Sequence, residues 1–144
     1  MIESDTIKLL RECDAGIKMG VKSIDDVLGY VGSDKLKKLL TDCKNEHDKL
    51  GNEITELLDK YHDDGKNPNP IAKGMSTMKT EVKLAVNDSD HTVADLITDG
   101  CNMGVKSLNR YLNQYKSADE LSKDIAKRLI NLEEKLAVDI RGYL

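Results

Sequence analysis

Tryptophan and phenylalanine are absent from the chain, and five tyrosines supply all of its aromatic area. A core without large rings must be built from Leu, Ile, Val, Met and Ala, a palette that suits packed helices. Proline occurs twice, as Pro68 and Pro70, so helix breaking is confined to one place and long helices can form on either side. Cysteine is scarce and odd in number: Cys13, Cys43 and Cys101 never form CxxC. That pattern fits reduced thiols in the cytoplasm better than a disulfide frame or a zinc ribbon. No run of about 18 apolar residues occurs, so no membrane span is expected. The stretch MIESDTIKLLRECD has early acids and no apolar signal core, so secretion is not expected either. The 22 basic and 26 acidic residues are interspersed and sum to −4, which argues against a nucleic-acid partner. HExxH, GxSxG and a glycine loop after a strand are all missing.

Apolar residues make up 39% of the 144 positions and charged residues 33%, enough for one soluble domain over 1–144. Turn and cap residues divide it. Gly32-Ser33 reads as a helix stop followed by an N-cap. Ser117 opens S-A-D-E, a capping box with Glu120. The segment from His62 to Pro70 is a polar linker, Asn69-Pro70 would cap a shorter helix, and Asn87-Asp88-Ser89-Asp90 is a second break. Four long helices are predicted, over 5–31, 33–62, 90–116 and 118–143, with a short fifth over 71–86 in the connection. Their stripes follow the three-and-four spacing of a helix face. The first is Ile7, Leu10, Ile17, Val21, Ile24, Leu28 and Val31, with a gap near 13–14. The second is Leu36, Leu40, Cys43, His47, Leu50, Ile54, Leu57 and Tyr61, and the third Ala94, Cys101, Val105, Leu108, Leu112 and Tyr115. The fourth is Leu121, Ile125, Leu129, Leu132, Leu136, Ile140 and Tyr143. No stretch alternates as a strand would, and the expected class is all-α.

The phrase MGVKS is written twice, in DAGIKMGVKSIDDVL and TDGCNMGVKSLNRYL, 84 positions apart. At the same offset Ile24, Leu28 and Ser33 pair with Leu108, Leu112 and Ser117. After the turn the offset becomes 86, pairing Leu50 with Leu136 and Ile54 with Ile140. The chain therefore reads as a duplicated helical hairpin, 5–62 and 90–144, joined by a crossover over 63–89. One amphipathic hairpin cannot bury its own stripe, and two close a four-helix core. A 16-residue helix rises ~24 Å, enough to carry the crossover along the bundle. Through HTVADLITDGCNMGVKSLNRYLNQYKSADE the chain resembles the ferritin-like superfamily, and more narrowly a bacterial family of short ferritin-like proteins of unestablished function. The resemblance implies a four-helix bundle and no particular activity. A simple up-and-down bundle is the alternative fold.

Gly16 and Gly20 are four apart, as are Gly100 and Gly104, with Ser23 and Ser107 on the same side. Glycine inside a helix costs ~1 kcal/mol against Ala, so four of them predict close helix packing, within the bundle or across a dimer. Lys22 and Lys106 read as solvated, and His62 and His91 as surface residues. The ferritin-like metal proteins carry a mid-helix Glu and then Glu-x-x-His in each hairpin, and this resemblance directs attention to the middle of the stripes. His47 stands there, Asp14 fills the gap in the first helix, and by the repeat Thr98 answers Asp14 and Glu133 answers His47. Leu132 and Ile97 compete with Glu133 and Thr98 for the inward face. His47 lies 15 residues past Gly32 and Glu133 16 past Ser117, which places both ~22–24 Å down their helices, and with a crossover at nearly the same level, where a His–Glu hydrogen bond is geometrically reasonable. Lys44 and Ile130 occupy the places where the family's pattern has Glu.

Two functional classes follow. One is a non-enzymatic structural or interaction module, self-associating most simply as a dimer, in which the polar cluster satisfies its own hydrogen bonds. The small-residue faces and the short helix with Met75, Met78 and Val82 motivate it. The other is a metal or redox protein holding iron, manganese or zinc through His47, Asp14 and Glu133, with Cys43 one turn from His47 as a further ligand or dyad partner.

Overall fold

A computed structural model describes residues 4–68, 80, 84 and 89–144. Four α-helices account for most of them: α1 (Ser4–Leu28), α2 (Asp34–Lys60), α3 (Asp90–Gln114) and α4 (Glu120–Asp139), followed by a 3₁₀ turn at Arg141–Tyr143. No strand occurs among the described residues. The expected short helix over 71–86, with Asn69, Pro70, Met75, Met78 and Val82, lies outside them apart from Thr80 and Leu84, both helical.

Caps set the helix starts. Ser33 Oγ accepts from Leu36 N at 3.3 Å and Ser89 Oγ from Thr92 N at 3.3 Å, each satisfying an amide that the first turn leaves unpaired. The fourth helix departs from the sequence expectation. Its N-cap is Asp119, whose Oδ1 accepts from Ser122 N at 2.8 Å, and it begins at Glu120 rather than 118. Ser117 is held instead as a turn residue, its N–H donated to Asp5 Oδ2 at 3.0 Å, while Asp119 N donates to Thr6 Oγ1 at 2.8 Å. At the opposite end the carboxylate of Asp90 accepts from Gly32 N at 2.8 Å and Ser33 N at 3.0 Å. Each hairpin turn is thus clasped by the first turn of the other hairpin.

These clasps fix chain direction. The start of α1 meets the α3–α4 turn, and the start of α3 meets the α1–α2 turn, so α1 and α3 are antiparallel. With two hairpins, α2 and α3 then run the same way, so the end of α2 and the start of α3 lie at opposite ends of the bundle. α1 packs on α2, α3 and α4, and α4 also packs on α2 and α3.

The core has two apolar halves. One centres on Leu10, Ile17, Leu50, Ile54, Leu108, Ile125 and Leu129. The other centres on Ile24, Leu36, Leu40, Leu84, Val93, Ile97, Leu136 and Ile140. Each fully buried Leu or Ile contributes roughly 1.5–3 kcal/mol. The α2 stripe falls as expected from Leu36 to Ile54 and closes on Leu58 rather than Leu57. In α1, Thr6, Leu9, Cys13, Asp14 and Val27 join the buried face, while Ile7 and Leu28 are only partly covered. Along α4 and its C-cap, Ile125, Leu129, Leu136 and Ile140 are buried as expected, but Leu121 is 49% exposed and Leu132 half-buried, whereas Ser122 and Glu133 are buried.

Candidate functional site

Between the two apolar halves lies a polar waist. On α2, His47 stands between Cys43 and Leu50, and on α4, Glu133 stands between Ile130 and Leu136, so packing on both sides holds the two side chains at one level. His47 is 1% exposed and Glu133 8%. His47 Nε2 lies 3.0 Å from Glu133 Oε1, joining the two hairpins, and Nδ1 lies 2.8 Å from the carbonyl oxygen of Cys43. Glycine supplies the space. A Cβ on Gly20 of α1 would stand 2.8 Å from His47 Nε2 and 3.4 Å from Glu133 Oε1. A Cβ on Gly104 of α3 would lie 3.6 Å from Glu133 Cδ. The glycines of the two MGVKS phrases therefore face the central pair, Gly20 mainly the imidazole and Gly104 the carboxylate.

The hydrogen bonds set the protonation state. A carbonyl can only accept, so Nδ1 carries a hydrogen, and a carboxylate at Nε2 favours a second one. Burial by itself lowers the imidazole's proton affinity, but bonding at Cys43 and the Glu133 carboxylate outweigh it and raise the pKa of His47 to about 10. The pair thus holds a proton on the imidazole more tightly than a free histidine does. The neighbouring Cys101 thiol, buried and facing the Glu133 charge, is held well above the ordinary thiol range. Burial and the adjacent Glu12 and Asp14 push Cys13 up to about 12.

The other sequence candidates separate from this pair. Asp14 is buried, but its carboxylate accepts from Lys18 Nζ at 2.8 Å and from Lys66 N at 2.9 Å. It sits six residues, or ~9 Å of helix, from the glycine that seats His47, so the structure does not unite the proposed triad. Thr98 Oγ1 is buried and has no partner among the described residues. Cys43 Sγ lies 3.6 Å from His47 Nδ1, but that nitrogen's hydrogen points to the Cys43 carbonyl and both residues are buried, so no substrate reaches a thiol–imidazole dyad. The four glycines do not act alike: Gly16 would meet Leu129 at an ordinary 3.6 Å, and Gly100 faces open space. His62 and His91 are exposed, as expected. Two features escaped sequence reasoning. Cys101 lies beside Glu133, which its place one turn before Gly104 could have signalled, and Gly65 lies against Asp14.

The donor set does not fit a di-metal centre, which takes about four carboxylates and two histidines in such bundles. Three residues before His47, Lys44 turns outward to Asp25 at 2.6 Å, and three before Glu133, Ile130 is buried in the apolar core. Among the described residues no group of three or more His, Cys, Asp and Glu is placed to hold a metal ion. None of their helices is long and apolar enough to cross a membrane. Among the described residues the fold and site thus define an all-α arrangement of four long helices with a paired polar centre. Comparison of the chain with protein-family models, curated proteins and solved structures finds no match.

Proposed function

We propose that this chain is a ferritin-like bundle, built from a duplicated hairpin, that acts as a non-enzymatic structural or interaction module. Its central imidazolium–carboxylate bridge stands where related metal proteins would hold ions. The carrying observation is that both ring nitrogens of His47 have partners within the fold, one the Cys43 carbonyl and the other Glu133, so that a metal at Nε2 would have to displace the bond between the two hairpins. The reciprocal clasps of Asp5 on Ser117 and Asp90 on Gly32, together with the parallel course of α2 and α3, support the duplicated ferritin-like topology. Gly100, open to solvent, and Met103, 70% exposed, lie one turn apart on α3 and provide a face for self-association as a dimer.

Protein purified without chelator tests this by metal analysis and light scattering. The expected result is a dimer carrying only traces of iron, manganese and zinc, with the same traces in His47→Ala. Stoichiometric metal that disappears in His47→Ala would replace this reading with a metal or redox protein. A monomer at high concentration would remove the self-association.

A further inference from the structure

The chain leaving α2 folds straight back onto α1. His62 N donates to Asp59 O at 3.0 Å and Asp63 N to Leu58 O at 2.9 Å, the bond pair that ends a helix when the residue after the cap is left-handed. His62 takes that conformation at φ 58°, and Gly65 takes a second left-handed step at φ 81°. Asp63 Oδ1 accepts from Gly65 N at 2.8 Å, closing the reversal. These steps lay the Gly65-Lys66 backbone on Asp14. Asp14 Oδ2 accepts from Lys66 N, and Lys18 Nζ reaches the same oxygen, the Lys66 carbonyl at 3.4 Å and Asn67 Oδ1 at 3.3 Å. Lys66 Nζ pairs with Glu12 Oε1 at 2.5 Å, and Arg11 approaches Asp63 at 3.7 Å.

Asp14 is 6% exposed on a stripe otherwise made of Leu10, Cys13 and Ile17. A carboxylate there would lose free energy by desolvation unless charge and hydrogen bonds compensate. Among the described residues its hydrogen bonds come from Lys18 and from the returning segment. A Cβ on Gly65 would overlap that carboxylate, so only glycine lets the backbone lie flat on it.

We infer that residues 62–67 are a latch, held by Asp14 through the Lys66 amide, which sets where the chain departs from the first hairpin and opens without unfolding the bundle. Its contacts are polar and, Asp14 apart, are made by exposed or half-buried residues, whereas both apolar halves lie inside the helices, so its opening is a local event of lower free energy than global unfolding. Neither the dimer nor the metal-free centre is needed for this. Amide exchange at Lys66 and trypsin cleavage after Lys66 in the intact chain provide the test. Gly65→Ala is expected to speed both by at least ~10-fold with helix content unchanged. Asp14→Leu removes the acceptor but keeps the stripe apolar, and should open the latch even if Gly65→Ala folds poorly. Unchanged Lys66 exchange in both variants would overturn the inference. So would wild-type Lys66 exchange that always keeps pace with Leu9 and Ile54, because the segment would then open only with the whole fold.

Discussion

At Gly20 an added Cβ would stand 2.8 and 2.9 Å from two atoms of the His47 ring, whereas at Gly104 the nearest atom, on Glu133, would be 3.6 Å away. Both glycines hold the same place in a repeated phrase, and both face the central pair. What differs is the neighbour. A planar ring bonded at both nitrogens cannot step aside, while the Glu133 carboxylate already sits at ordinary contact distance. Identical letters therefore carry unequal constraints, and the constraint on a small residue is set by the rigidity of what it admits.

Three kinds of experiment sharpen that contrast. The largest effect should come from emptying one side of the pair. Glu133→Ala leaves a buried imidazolium without its counter-charge and is expected to cost about 3–5 kcal/mol in denaturant unfolding near pH 6. A loss below about 1 kcal/mol would mean that His47 is held by packing alone. Next come the glycines themselves. Gly20→Ala gains ~1 kcal/mol of helix propensity but forces the ring aside at about 1–3 kcal/mol, a net loss. Gly104→Ala and Gly100→Ala keep most of the propensity gain. Equal melting temperatures for Gly20→Ala and Gly104→Ala would erase the difference between the two seats.

The most gradual effect is the pH dependence. The folded pKa of His47 is raised from 6.5 to about 10, so the folded state holds the proton more tightly than the unfolded chain. Its stabilisation is full below pH 6.5 and is lost as pH rises toward 10, at up to ~1.4 kcal/mol per pH unit. Glu133→Gln should flatten this slope in urea titrations. A wild-type slope identical to that of Glu133→Gln would show that the imidazole is neutral in the native state.

Legibility followed where the partner of each residue lies. α2 could be read almost residue by residue, because its buried positions from Leu36 to Ile54 are one unbroken stripe with His47 inside it. In α4 both Leu132 and Glu133 fit the spacing, and hydrophobicity favours Leu132. Glu133 faces inward because His47, 86 positions earlier, answers it. Thr6 is buried for the same kind of reason, since its hydroxyl accepts from Asp119 N at a separation of 113. Ser117 was the expected cap, and Asp119 takes the place because Asp5 and Thr6, at the far end of the chain, hold the Ser117 and Asp119 amides. The gap at Asp14 was visible, but the backbone that fills it was not, because an amide leaves no mark on side-chain periodicity.

The clasp-and-waist arrangement also orders assembly in time. Five residues separate Leu28 from Asp34 and five separate Gln114 from Glu120, so each hairpin closes over a short loop at little entropic cost. His47 and Glu133 must find each other across most of the chain. Contacts of such long range form late, so strain placed at Gly20 is expected to accelerate unfolding while leaving the refolding rate nearly untouched.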